Sequence, residues 1–377
     1  MADYLDNAAT SSPKPDCVTE AVLRAMREVN ANPGRAGHAR SLEAGREVLN
    51  CRESVARLIG AEDPVSVAMT FNCTDALNLA IKGTLRRGDH VISSLLEHNS
   101  VLRVLMELEK KGEISVTLLR PEPDGMIDPE QARHALTKRT RLIALTHASN
   151  VTGAIQPVAA VGEIARQEGV TYLIDGAQAL GVLPVDVEKL KCDLYAFPGH
   201  KGLLGPQGTG GLYLRPGRTL RPLREGGTGS SSESMLQPEG LPERYESGTL
   251  NYHGIAGLRA GTEYVAEHLN DIYMRERELT TALYEGLSGI EGVTVYTPEA
   301  EAARAGIVSF NAGDLSSSRA ADLLDEQGFA VRGGLHCAPG AHSVLGTLRR
   351  GAVRASIGHE TTFEEIDAFV SCVRTLV

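Results

Sequence analysis

The segment Arg141–Ala179 decides the fold: "RLIALTHAS" (141–149), then "VAAVGEIARQEG" (158–169), then "VTYLIDGAQA" (170–179). The outer pieces read as short apolar strands and the middle one as a helix. The same alternation extends on both sides. Strands are predicted in "VSVAMTF" (65–71), "HVISS" (90–94), "ISVTLLR" (114–120), "DLYAF" (193–197) and "GGLYLR" (210–215). Helices are predicted in "DALNLAIKGTL" (75–85), "SVLRVLMELEKKG" (100–112) and "DPEQARHAL" (128–136). Alternation at this spacing indicates an α/β domain, a mainly parallel sheet of seven strands flanked by helices. Such sheets bind ligands at the carboxyl ends of their strands.

The flanks read differently. Residues 1–15 form an extended or mobile arm. Asp16 is placed to cap "CVTEAVLRAMRE" (17–28), and Ser41 a second helix running to Gly60, with the loop "NANPGRAGHAR" (30–40) between them. The large domain spans 16–255, its first residues able to pack on the second domain. A smaller α+β domain spans 256–377. It opens on a long helical region and continues with strands "VTVYTP" (293–298), "GIVSFNA" (306–312), "FAVRGGL" (329–335) and "GAVRASI" (351–357). Its helices are "SRAADLLDEQG" (318–328) and "FEEIDAFVSCVRTLV" (363–377).

Composition excludes several function classes. The 377-residue chain carries a net charge of −10 and has no long basic run, which argues against nucleic-acid binding. No apolar run reaches the ~20 residues of a membrane span, and no signal peptide is evident. The six cysteines (17, 51, 73, 192, 337, 372) include no C-x-x-C pair, so no metal site is expected. A cytoplasmic protein with free thiols is the expectation.

The residues just past the strand ends carry the chemistry. Cys73-Thr74 opens a helix, and reads either as an ordinary cap or as a seat for an anion on free backbone N–H groups. His98, Asn150, Asp175, Gln178 and the pair His200-Lys201 follow the other strands. Singly, each has a plain structural reading as a cap or turn residue. Together they supply what a pyridoxal 5'-phosphate site needs: a lysine amine, a carboxylate for the ring nitrogen, a donor for the ring oxygen, a flat side chain and a phosphate seat. Lys201 lies in "AFPGHKGLLGPQGTGG" (196–211), a Gly-rich apolar turn, and is the last of eight lysines. Burial there would lower its pKa and free the amine to react.

On these residues, and on the blocks "YLDNAATS", "EHNSVLR", "SNVTGAIQPV", "IDGAQA", "GHKGLLGPQGTGGLY", "ESGTLN", "GLHCAP" and "VRASIG", the chain resembles the cysteine desulfurase and selenocysteine lyase family. That family lies within the class V aminotransferase-like, fold-type I pyridoxal phosphate enzymes, and the resemblance runs nearly end to end. It implies Lys201 as the Schiff-base lysine and α-proton base, and His98 stacked on the ring. Asp175 would sit on the ring nitrogen, with Asn150 and Gln178 on the ring oxygen. Cys73, Thr74 and His200 would contact the phosphate. Thr249 would reach the phosphate in a partner subunit, hence a homodimer. Arg354 would grip the substrate carboxylate, Asn7 and Ala8 would line the substrate side, and Arg35 the entrance. Cys337, which alone reads as a structural thiol, becomes the nucleophile that takes sulfur from L-cysteine, leaves alanine and passes sulfur to an acceptor protein. A cation from His336 or nearby arginines would help its thiolate. One departure is Pro198, where family members commonly carry a serine; a phosphate hydroxyl donor is missing there. Selenocysteine as substrate, another reaction of the class, or a partner-activated scaffold in iron–sulfur or thiocofactor assembly stand as alternatives.

Overall fold

The computed structural model describes residues 3–34 and 36–377, so Arg35 lies outside the described residues. An extended N-terminal arm carries β1 (Asp3–Tyr4) and leads into α1 (Asp16–Arg24) and α2 (Ala39–Leu58). The central run follows: β2 (Val67–Thr70), α3 (Cys73–Thr84), β3 (His90–Ser94), α4 (Asn99–Lys110), β4 (Ser115–Leu119), α5 (Pro129–His134), β5 (Thr140–Thr146), α6 (Val158–Gln167), β6 (Thr171–Asp175), β7 (Leu194–Pro198) and β8 (Gly210–Leu214). These seven strands form one sheet in the order β2-β8-β7-β6-β5-β3-β4. Only β8 runs against its neighbours. Strands β3, β7 and β8 are buried along their whole length and β6 along all but its first residue, as expected when helices cover both faces of a parallel sheet. Two apolar layers, one on each face, enclose it.

The long helix α7 (Tyr252–Ser288) has 37 residues and spans about 55 Å at the standard rise. Its first turns join the core of the large sheet through Tyr252, Ile255 and Leu258. Its last turns join a third apolar cluster through Leu279, Leu283 and Leu287. That cluster packs against a four-stranded antiparallel sheet, β12-β13-β10-β9, built from β9 (Val293–Val295), β10 (Ile307–Ala312), β12 (Arg332–Gly334) and β13 (Ala352–Ser356). Helices α8 (Ser317–Glu326) and α10 (Phe363–Arg374) belong to the same layer, and a one-turn α9 (Pro339–Val344) follows the Cys337 loop. A capping box starts α10, with Thr362 and Glu365 satisfying each other's backbone N–H groups.

Several local expectations are corrected. Asp16 does not cap α1: Pro15 holds the cap position without a side-chain bond, and the helix loosens into a π-turn at 25–29. His38, not Ser41, caps α2, its ring accepting the Ser41 N–H. The single strand read over 329–335 is two. β11 (Phe329–Ala330) pairs with β1 of the arm, whereas β12 joins the four-stranded sheet, and Val331 is the crossing point.

The arm is pinned rather than loose. Leu5 is buried in the third cluster, and Asn7 donates to the Ser356 carbonyl at 3.2 Å. Further along, the Ser11 hydroxyl donates to the Lys201 carbonyl at 2.9 Å, and Lys14 Nζ to the His200 carbonyl at 2.9 Å. One short segment thus ties the C-terminal sheet to the turn that carries the lysine.

Candidate active site

The strand ends converge as the periodicity suggested. Past β2, β3, β5 and β7 lie Cys73-Thr74, His98, Asn150 and His200-Lys201, and Asp175 is the last residue of β6. All of them line one cavity of about 220 Å³, together with Ala8, Gln178, Pro198, Arg332, His336 and Arg354. Asn7 lines a smaller adjoining cavity that shares Ala8, Gln178 and Lys201. Two expected residues stand outside. Thr249 is exposed and does not line the cavity of its own chain, and Cys337 is exposed on the rim loop whose His336 does line it.

The glycines of the lysine turn are there for backbone contact. A Cβ on Gly202 would sit 2.3 Å from the Leu180 carbonyl, and one on Gly181, at φ +89°, would sit 2.3 Å from Gly202. Two loops therefore touch main chain to main chain, which only glycine allows. This contact fixes the lysine turn against the segment carrying Asp175 and Gln178.

Charge states follow from burial. Lys201 Nζ has no hydrogen-bond partner among the described residues; desolvation, then Arg354, lowers it to about 8. Asp175 is raised by burial, opposed by the Ala177 N–H at 3.0 Å and by Lys201. A buried carboxylate of this kind gains from a cationic partner. Cys73 donates to Asp175 Oδ1 at 3.5 Å, and burial followed by Asp175 pushes its thiol well up, so it stays protonated. His98 caps α4, its Nδ1 accepting the Ser100 N–H at 3.1 Å, and burial followed by Lys201 lowers it to about 4. His98 is therefore a neutral ring with the proton on Nε2.

Arg354 is 1% exposed. It donates to Asp6 at 2.8 Å and to the Asn150 carbonyl at 3.0 Å, while its Nε has no partner. Gln178 donates to the Ala8 carbonyl at 3.1 Å. His200 Nδ1 is buried and unpartnered, and burial lowers the ring to about 4. The N–H groups of Cys73 and Thr74, at the start of α3, find no acceptor within the helix. An unpartnered amine, an unpartnered imidazole nitrogen, free helix N–H groups and a buried carboxylate facing one cavity fit pyridoxal phosphate. They leave polar groups waiting for a carbonyl, a phosphate and a ring nitrogen.

His336 corrects a sequence expectation. Burial, then Arg354, lowers it to about 3, so it supplies no positive charge beside Cys337. The cations on that side are Arg332 and Arg354, which both line the cavity. His336 and Cys337 are both left-handed, at φ 49° and 57°. Each such residue costs about 1–2 kcal/mol in an L-amino acid. The loop is held by the Asn99 N–H on the Cys337 carbonyl at 2.7 Å and by Asn150 Nδ2 on the His336 carbonyl at 2.6 Å.

Sequence reasoning missed four contributors. Ser100 joins His98 to Thr74 (2.9 and 2.8 Å), and Asn72 caps α3. Both sit at the starts of predicted helices and could have been read from their cap spacing. Asp6 and Arg332 reach the site from distant parts of the chain, and no local spacing announces them.

A family model described as aminotransferase class-V matches residues 3–369. A probable cysteine desulfurase of Methanothermobacter thermautotrophicus is 37% identical over 371 residues, covering 96% of this chain and 92% of that protein. A cysteine desulfurase of Salmonella agona is 36% identical, covering 98% and 91%. Among solved structures, an apo cysteine desulfurase from Thermococcus onnurineus superposes with a TM-score of 0.93 at 34% identity, covering 100% of this chain and 94% of that one.

Proposed function

This chain belongs to the aminotransferase class-V family, and from that membership we propose its reaction: it is a pyridoxal phosphate-dependent cysteine desulfurase. It converts L-cysteine to L-alanine and leaves the sulfur as a persulfide on Cys337. The observation that carries this is the unpartnered Lys201 amine, which shares its cavity with Asp175 and Arg354 beside the loop of an exposed cysteine.

When bound, pyridoxal phosphate supplies an electron sink that stabilises negative charge at the substrate α-carbon. Cys73, Thr74 and His200 would hold its phosphate, Asp175 its ring nitrogen, and Asn150 and Gln178 its ring oxygen; His98 would cover one ring face. Pro198 brings no hydroxyl to the phosphate, and the free helix N–H groups of α3 take that place. Arg354, which lines the cavity, would grip the substrate carboxylate, with Asn7 and Ala8 on the substrate side. Lys201 takes the proton from the α-carbon. The Cys337 thiolate then attacks the substrate sulfur: the S–S bond forms, the Cβ–S bond breaks, and the electron pair left on Cβ takes a proton to complete alanine.

Thr249, exposed in its own chain, suits a role in the site of a second copy, so the unit is a homodimer. An exposed Cys337 can hand its sulfur to an acceptor protein. All six cysteines are free, which agrees with a cytoplasmic setting. No helix among the described residues is long and apolar enough to cross a membrane. Selenocysteine lyase, another class V reaction and a non-catalytic scaffold have no observation of their own in their favour.

Protein loaded with pyridoxal phosphate and given L-cysteine is expected to form alanine one-for-one with sulfur; no alanine would refute the reading. Loading itself should depend on pH. The Lys201 pKa is lowered, so the neutral amine dominates above about 8. Below that value its fraction falls about tenfold per pH unit. The rate at which cofactor-free protein acquires the cofactor's visible absorbance should rise with pH up to about 8 and then level. A rate flat across this range would contradict an amine titrating there.

A further inference from the structure

A chain of hydrogen bonds lies behind the nucleophile loop, and none of the roles above uses it. His336 Nε2 stands 3.1 Å from the Arg332 carbonyl. His336 Nδ1 stands 3.3 Å from His342 Nε2, and His342 Nδ1 stands 2.8 Å from the Thr347 hydroxyl. His342 is 0% exposed and His336 4%. A carbonyl accepts only, so His336 must donate from Nε2. In a neutral ring its Nδ1 then accepts, so His342 donates from Nε2, and its Nδ1 accepts from Thr347. Burial, the main cause for both rings, keeps them neutral near pH 7. Only one direction of protons satisfies every member. The reverse direction would set a His336 lone pair against the Arg332 carbonyl.

The side chains of Thr347 and His342 reach the loop through His336, whose ring they fix from behind, and the His342 N–H donates to the Ala338 carbonyl at 3.3 Å. His336 is also the first of the two left-handed residues, and Cys337 is the second. Such a pair persists only where its surroundings over-determine it. Backbone and ring are both held. The Asn99 N–H and Asn150 Nδ2 bind the two carbonyls, and the Thr347–His342 pair binds the His336 ring.

We infer that His342 is a positioning residue for Cys337, acting through a tautomer that the Arg332 carbonyl sets by way of His336 and that the Thr347 hydroxyl supports from behind. This rests on the desulfurase reading for its catalytic consequence, but not for its structural one. Thr347→Val keeps the side-chain shape and removes the donor. It leaves His342 Nδ1 a buried acceptor without a donor and loosens the ring that holds His336. His342→Leu removes the partner outright. His342→Gln keeps an N–H able to reach His336.

The test has two readouts. Nitrogen-15 spectra of histidine-labelled, cofactor-loaded protein should show single Nε2–H tautomers for both rings, with the His342 Nδ1 resonance moved in Thr347→Val as its hydrogen bond is lost. Hydrogen exchange over residues 335–339 should accelerate about tenfold or more in Thr347→Val and His342→Leu. In both variants kcat for alanine formation should fall by between tenfold and about a hundredfold, as small misplacements of a reacting group do. KM and the cofactor absorbance should stay unchanged, and His342→Gln should recover most of the loss. Unaltered exchange and an unmoved His342 Nδ1 resonance in Thr347→Val would overturn the inference, as would a His342→Gln variant as impaired as His342→Leu. If exchange and the His342 Nδ1 resonance change as expected but the wild-type protein makes no alanine, the desulfurase reading fails and the positioning chain stands. Should His342→Leu not fold, Thr347→Val decides.

Discussion

Lys201→Ala is expected to lower alanine formation by about a thousandfold or more, in line with removal of a positioned acid–base group. Lys201→Arg should be as inactive. Arginine keeps the positive charge but stays protonated at any working pH, so it cannot accept a proton from the α-carbon. The pair separates two roles for this position. If Lys201 served only to neutralise Asp175, the arginine variant would retain activity. The cavity shows why the lysine is suited to more than charge. Its amine has no partner among the described residues, two loops in main-chain contact fix its backbone, and burial has brought it to about 8. The measurement is alanine released per protein under saturating L-cysteine. Activity above about a tenth of wild type in either variant would remove Lys201 from the reaction.

Cys337→Ala should abolish both persulfide and alanine, on the order of a thousandfold, because substrate sulfur then has no thiolate to receive it. Cys337→Ser should be no better, since a hydroxyl is protonated and a poor acceptor of sulfur. The other thiols cannot stand in. Burial pushes Cys51 up to about 12, and Cys73 is held protonated by burial and Asp175. Cys17 is exposed but sits on α1, at the Ala260 carbonyl, and does not line the cavity. Cofactor absorbance and melting temperature should match wild type, as the exposed Cys337 side chain makes no hydrogen bond among the described residues. Full alanine production by Cys337→Ala would show that sulfur leaves without this cysteine.

The large sheet was legible because its strands are buried on both faces and stand out as apolar runs. "HVISS" at 90–94 is β3 to the residue. The convergence of His98, Asn150, Asp175 and Lys201 followed from topology alone, since parallel strands put their carboxyl ends on one edge. What failed was set by partners far away in sequence. The run 329–335 looks uniform, yet its first half pairs with the arm and its second with β13, more than 300 and about 20 residues distant respectively. Asp6 meets Arg354 across the whole chain, and nothing beside either residue says so. His336 looked like a cation because histidine titrates near neutrality, but its charge depends on burial against Arg354, which spacing does not reveal. Cap positions slipped for a similar reason: the Ser41 hydroxyl is spent on the Asn32 carbonyl, leaving His38 to cap α2.

The most direct measurement is a peptide mass map of the loaded protein after brief exposure to L-cysteine, with thiols and persulfides trapped by alkylation. The expected result is one added sulfur atom on the peptide containing Cys337, in amounts matching the alanine formed. Alanine without protein-bound sulfur, or sulfur found first on Cys17, would contradict the assignment of Cys337 as the residue that receives it.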